Sequence, residues 1–181
     1  SVVDPDCCTP NPFMESFDNG ALPGWTLSTP GAGVGWHLWS QFGDGLLYYG
    51  NPVTQNFDNS VTNTGTALTP SLELLPAIAY ELSFDVFMDV ELGLYYDSLK
   101  VEVSVDGGGF MSLWDKSGYG SMETWQSVDL DISALAGHAV RFRFNFSSSD
   151  AFANDTLGVL IDNLAVFSQC APVVCAGDGD C

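Results

Sequence analysis

Carboxylates are the most abundant chemically active side chains of this chain. Its 181 residues include 23 Asp and Glu against only 4 Lys and Arg, so the formal net charge is −19. Carboxylate oxygens are the ligands that hard divalent cations prefer, and bound cations would offset the repulsion among so many acids. The same charge repels nucleic acid and anionic membranes, and no apolar run is long enough to span a bilayer. We therefore expect no nucleic-acid partner and no membrane insertion.

Aromatic residues offer a second kind of chemistry, because a flat ring can stack against a sugar. Several aromatic residues are adjacent or nearly so, and strand alternation sends one ring of an adjacent pair inward and the other outward. The predicted ligand-contacting rings are Trp39, Tyr49 and Tyr96. The tryptophans in strand-like patterns are assigned instead to the core: Trp25, Trp36 and Trp125.

Catalytic motifs are missing from the sequence. The two histidines, His37 and His138, lie neither in a His-Glu-x-x-His pattern nor near a nucleophile motif. A pair of carboxylates could serve a glycosidase. With 23 acids, however, some pair is inevitable, and the signal has no specificity. We predict that the protein is not an enzyme.

The cysteines lie near the two ends of the chain, at Cys7, Cys8, Cys170, Cys175 and Cys181. This distribution favours disulfides and an oxidising, extracellular setting, and the odd number leaves one cysteine for a free thiol or a bond to another chain. Their pairing stays open. The predicted organisation is a Pro- and Cys-rich arm over 1–12, one domain over 13–168 and a Cys-rich tail over 169–181.

Strand patterns fill the central domain. Apolar and polar residues alternate from Leu99 to Val105 and from Val140 to Phe146, and the glycines after Asp106 suit a tight hairpin turn. The patterns predict about nine or ten strands and no long helix, hence an all-β sandwich of two antiparallel sheets. The stretch 43–65, rich in Gly, Asn, Asp and Thr, is predicted as long loops around Leu46–Tyr49. Three of the four cations are expected on one outward sheet face: Lys100, Arg141 and Arg143.

Several short motifs resemble the jelly-roll, galactose-binding-like modules of the MAM-like group found in secreted bacterial proteins. They include Glu15-Ser16-Phe17-Asp18, Tyr80-Glu81-Leu82-Ser83-Phe84, Val103-Ser104-Val105-Asp106-Gly107-Gly108 and Ile161-Asp162-Asn163-Leu164. The resemblance covers about residues 13–168 and implies a jelly-roll order of the strands. The cysteine pattern that MAM modules carry inside the domain is missing here.

The resemblance also implies bound Ca²⁺. In such modules the first and last strands are neighbours and often hold a structural Ca²⁺, and the matching residues are Glu15, Asp18 and Asp162. A second set resembles the acidic Ca²⁺-binding loop of CUB-like sandwiches and comprises Asp89, Glu91 and Asp97. The alternative is that these acids cap turns and accept backbone hydrogen bonds.

These features predict a non-catalytic, secreted or cell-surface β-sandwich module stabilised by Ca²⁺. Its predicted role is adhesion or self-assembly, through contact with other copies of itself or with other surface proteins. The alternative is a carbohydrate-binding accessory module of a secreted hydrolase, whose partner is a glycan.

Overall fold

The computed structural model describes residues 12–28, 33–41, 43–91, 96–116 and 122–169. The cysteines, nearly all of the arm and nearly all of the tail lie outside these ranges, so the predictions about them stay predictions. Within the ranges no helix has the length and apolar character to cross a membrane. The described residues form twelve strands and one turn of 3₁₀ helix (Ser133–Leu135). The strands are β1 (Phe13–Glu15), β2 (Thr26–Leu27), β3 (Gly35–Gln41), β4 (Asp44–Gly50), β5 (Thr64–Leu68), β6 (Leu72–Glu73), β7 (Ala79–Asp89), β8 (Ser98–Val105), β9 (Phe110–Asp115), β10 (Met122–Asp131), β11 (Ala139–Ser147) and β12 (Gly158–Gln169).

The strands form two antiparallel sheets. Sheet A has the order β10-β7-β12-β4-β3, and β1 also pairs with β12. Sheet B has the order β2-β5-β11-β8-β9, and β6 also pairs with β11. The predicted all-β, two-sheet sandwich is confirmed. The described strands number twelve, against a predicted nine or ten.

The core lies between the two sheets and follows from the period of two. Every second residue of β7 from Tyr80 to Met88 is buried, and so is every second residue of β11 from Val140 to Phe146. Phe84 of sheet A meets Phe144 of sheet B edge-on, with ring centroids 5.4 Å apart. Burying each such large side chain contributes roughly 1.5–3 kcal/mol. The residues between them face solvent, so each sheet has an outer face.

Strand β4 (Asp44–Gly50) corrects the prediction of long loops around Leu46–Tyr49. Its glycines suggested turns, but they permit close packing within a strand. A Cβ atom at Gly45 would overlap the carbonyl oxygen of Phe17, and one at Gly50 would overlap the Tyr48 ring. Glycine inside a strand often marks such a close approach. Gly45 therefore lets the N-terminal segment lie directly on sheet A.

Candidate ligand groove on the outer face of sheet A

An open groove of about 370 Å³ crosses the outer face of sheet A. Neighbouring strands β10, β7, β12 and β4 each contribute to it. Its lining residues are Asp44, Leu46, Asp85, Trp125, Leu160, Asp162 and Asn163. We call this cavity the A-face groove. It combines one aromatic wall, an apolar floor and several polar groups.

Trp125 forms the aromatic wall of the groove. Its side chain is 47% exposed and rests on Phe87, with ring centroids 5.9 Å apart. The prediction that Trp125 belongs to the core is therefore wrong. Val128 and Leu130 of the same strand pack against the core, so alternation directs the odd-numbered residues of this part of β10 outward. Counting the period backward from Leu130 would have revealed this orientation.

Three carboxylates bring negative charge into the groove. Asp85 accepts hydrogen bonds from the Ser127 hydroxyl and from Asn163 Nδ2, the latter at 2.8 Å. Asp162 lies at a bulge of β12, where the register shifts and Asn163 adopts a φ of +50°, so that both side chains line the groove. Burial raises the pKa of Asp162, and the nearby charges of Asp18, Asp85 and Asp44 raise it further, against the Asn163 N–H bond that lowers it. Among the described residues, no Lys or Arg lines the groove.

The first predicted metal set, Glu15, Asp18 and Asp162, lies beside this groove. As expected from the resemblance, the first and last strands are neighbours: β1 pairs with β12, and Glu15 lies opposite Leu164. Glu15 Oε1 accepts a 2.9 Å hydrogen bond from Phe17 N, and Asp18 Oδ1 accepts one of 2.9 Å from Gly45 N. These bonds are the turn-capping contacts that the sequence left as an alternative.

The second predicted metal set centres on Asp97, whose side chain is buried. Asp97 Oδ2 accepts a 2.7 Å hydrogen bond from Glu91 N. Burial raises the pKa of Asp97 to about 6, although that bond and the Lys116 charge favour its ionised form. The buried Lys116 ammonium donates to the Glu91 carbonyl oxygen at 3.2 Å. Sequence reasoning did not place Lys116 here, where it brings a positive charge to the acidic cluster.

Asp89, the third member of that set, binds a different segment. Its Oδ2 accepts from Leu157 N at 3.1 Å, and its carbonyl oxygen accepts from the Thr156 hydroxyl at 2.7 Å. Across the described ranges, no three Asp, Glu, His or Cys side chains converge as metal ligands. The described side chains of the two sets therefore do not form a three-ligand metal cage, and calcium binding by them stays a prediction.

The three predicted ligand-contacting rings have different surroundings. Trp39 lies on the outer face of sheet A and packs on Tyr48, with centroids 4.7 Å apart. Tyr49 is fully buried, and its hydroxyl donates to Asn63 Oδ1 at 2.8 Å. The prediction of a solvent-facing Tyr49 is wrong, because alternation in β4 directs Tyr49 into the core and Tyr48 outward. Tyr96 is 46% exposed but does not line the groove.

No family model matches the sequence, and no curated protein matches it either. Solved structures do share the fold. TmCBM61, solved in complex with β-1,4-galactotriose, is 15% identical, covers 89% of this chain and 100% of its own, and superposes with a TM-score of 0.58. The K1 cleaved adhesin domain of Lys-gingipain from Porphyromonas gingivalis W83 is 18% identical over 87% of this chain and 98% of that one, with a TM-score of 0.56. The CBM22-1 xylan-binding domain of Paenibacillus barcinonensis Xyn10C is 15% identical over 90% of this chain and 96% of that one, with a TM-score of 0.50.

These likenesses define the class of fold. The chain is a jelly-roll β-sandwich of the kind found in carbohydrate-binding modules and in adhesin domains. At 18% identity or less, they concern architecture alone. The jelly-roll part of the resemblance is thereby confirmed, and the MAM-like part stays a prediction.

Proposed function

We propose that this chain is a non-catalytic, extracellular binding module that holds a glycan in the A-face groove. The observation that carries the proposal is Trp125, a half-exposed ring that stands beside hydrogen-bonding side chains in an open groove. Sugar rings have apolar C–H faces that stack on indole and hydroxyl edges that bond to carboxylates and amides. Leu46 and Leu160 supply the apolar floor, and Asp85 and Asn163 supply polar contacts.

The shape of the groove favours a chain of sugars over a single small molecule. Four adjacent strands contribute lining residues, and strands are spaced about 4.8 Å apart, so the groove spans roughly 14 Å. It is open rather than enclosed, which leaves room for a polymer to continue beyond it.

The test is a glycan array followed by calorimetric titration of the best ligand against matched variants. Trp125→Ala removes the aromatic wall, and we expect affinity to fall about tenfold, the upper range for one stacked ring. Tyr96→Ala is the control, because Tyr96 is equally exposed and lies outside the groove. Equal affinity of the wild type and Trp125→Ala, or an equal loss in Tyr96→Ala, would place the site elsewhere.

The same oligosaccharides test the non-catalytic part of the proposal. Incubation with the protein should leave their chain length unchanged by chromatography. Shortened products that disappear in Asp85→Asn would make the groove a glycosidase site and overturn this part.

A second candidate function is adhesion through protein contact, which the sequence favoured. Hydrogen bonds between Asn63 and Ser148 join the segments 51–63 and 148–157 at one end of the sandwich. Exposed apolar side chains lie on these segments, including Val53 at 89% and Phe152 at 76% exposure. Sedimentation over a range of concentrations, with and without reductant, tests self-association. Phe152→Ser should weaken it, whereas Met111→Ser, an exposed position on β9, should not.

Calcium remains a proposal for the acids Glu15, Asp18 and Asp162. If they bind Ca²⁺, chelation should lower the melting temperature by many degrees in the wild type and by less in Asp18→Asn. Identical melting curves with and without chelator would overturn the proposal that these acids bind Ca²⁺.

A further inference from the structure

In the A-face groove, negative charge is concentrated without a counter-ion from the described residues. Asp44, Asp85 and Asp162 come from three different strands and line one cavity. No described residue donates a hydrogen bond to the Asp44 carboxylate. Asp85 and Asp162 receive only neutral donors, from Ser127 and Asn163.

The cations of the chain are all engaged or located elsewhere. Arg143 binds Glu102 and Arg141 donates to the Thr69 carbonyl oxygen, both from sheet B. Lys100 is exposed on β8, and Lys116 is buried beside Glu91. A positive charge in the groove must therefore come from outside this set of residues.

Other lining residues, an indole ring and two leucines, give the groove apolar contacts that suit an organic cation. The described side chains form no three-ligand metal group, while Trp125 presents a half-exposed indole face. An ammonium group near an indole gains a cation–π interaction, and an adjacent carboxylate adds a charge-assisted hydrogen bond. Leu46 and Leu160 add apolar contact for the carbon skeleton that bears the amine.

We infer that the groove selects a glycan with free, protonated amino groups, namely an amino-sugar chain, over neutral or acidic glycans. The inference rests on the proposed function and names its ligand class. Uronic acids, sulfated sugars and sialic acids would bring further negative charge against Asp44, Asp85 and Asp162, so they are disfavoured. Neutral sugars would stack on Trp125 but would leave the carboxylates without a counter-charge.

A set of three ligands isolates the amine. The hexamers of glucosamine, N-acetylglucosamine and glucose share one β-1,4 backbone and differ at carbon 2, which bears an ammonium, an acetamide or a hydroxyl group. At about 0.15 M salt and a pH that protonates the amines, we expect the glucosamine hexamer to bind about tenfold more tightly than the other two. Oligolysine, an unrelated polycation, is titrated in a roughly neutral buffer with the same salt. Its affinity measures diffuse attraction to the acidic chain.

Matched variants locate the effect. Asp44→Asn removes one groove charge with little loss of internal bonding, and it should weaken binding of the glucosamine hexamer several-fold more than binding of the glucose hexamer. Glu73→Gln removes the same charge from an exposed position on β6 and should change neither. Trp125→Ala should weaken binding of every hexamer.

Three results would overturn the amine inference, and one of them would also overturn the proposed function. If a neutral or acidic glycan binds as tightly as the amine and depends on Trp125, the proposed function stands and the amine inference is overturned. If the glucosamine hexamer binds but Asp44→Asn and Glu73→Gln behave alike, the attraction is diffuse and the inference is again overturned. If no glycan binds, the proposed function fails and takes the inference with it.

Discussion

The outer faces of the two sheets handle charge in opposite ways. On sheet B, Arg143 Nη2 lies 2.7 Å from Glu102 Oε2, and Asn145 donates to the same oxygen at 3.1 Å. The Arg143 guanidinium also lies 3.7 Å above the Phe110 ring. On sheet A, Asp44, Asp85 and Asp162 share a groove that no described Lys or Arg lines.

The contrast is between a face whose ion pair forms within the protein and a face that we propose binds a ligand. The cations on β8 and β11 alternate with core residues and face outward, as the sequence predicted for Lys100, Arg141 and Arg143. On sheet B, Arg143 and Glu102 neutralise each other within the protein, which contributes to its stability. Charges on sheet A repel one another, which costs stability and leaves hydrogen-bonding capacity for a ligand.

The largest expected effect comes from disrupting the packing of the N-terminal segment on sheet A. Gly45→Ala should lower the free energy of unfolding by about 3 kcal/mol, because the new Cβ would overlap the Phe17 carbonyl oxygen and displace the N-terminal segment. Gly109→Ala, in the β8–β9 connection of sheet B, has open space and should change stability by less than about 0.5 kcal/mol. Urea titrations measure both, and equal losses would show that the two regions are not differently packed.

The ion pair on sheet B provides the next largest effect. Glu102→Gln removes the charge that binds Arg143 and should cost about 2 kcal/mol, because the pair is largely shielded from solvent and charge-assisted. The measurement is again urea unfolding, with Glu73→Gln as the exposed control. A neutral result would place the sheet B pair among ordinary surface contacts.

Lowering the pH should change the stability of the protein through the buried Asp97. Its pKa is about 6 in the folded state against a usual 3.8, so the folded protein binds the proton more tightly than the unfolded chain does. Stability should therefore rise as the pH falls through 6, by about 1 kcal/mol between about pH 7 and pH 5. Asp97 interacts electrostatically with four nearby groups: Glu91, Lys116, Asp150 and Tyr49. Asp97→Asn should flatten this part of the pH profile, and an unaltered profile would assign it to another group.

The smallest expected effect is a gain in stability, opposite in sign to the loss expected for Glu102→Gln on sheet B. Asp162→Asn removes a charge that is disfavoured by burial and by neighbouring acids. Because the site is largely open to solvent, screening limits the gain to a few tenths of a kcal/mol. Thermal melts at low salt should show a small rise in melting temperature that shrinks at high salt. A clear loss of stability would indicate that Asp162 has a structural partner.

Local sequence was a good guide within single strands. The alternation in β8 and β11 correctly separated most core positions from surface positions, although Ser104 is buried and Val105 is only partly buried. Glycine-rich composition misled in β4, because the reason for Gly45 is a contact with Phe17, a residue distant in sequence. A different error placed Trp125 in the core, because the alternation of its own strand already indicated the outward face.

The sequence by itself determined the all-β class, the inward and outward faces of each strong strand, and an acidic chain whose cations cluster in one segment. These properties are local or summed along the chain, so alternation and composition suffice to derive them. Only the tertiary structure decided that β10, β7, β12 and β4 are neighbours and that Lys116 lies beside Glu91. Strand order depends on pairings between distant segments, and the groove exists because those pairings bring Trp125, Asp44, Asp85 and Asp162 to one face.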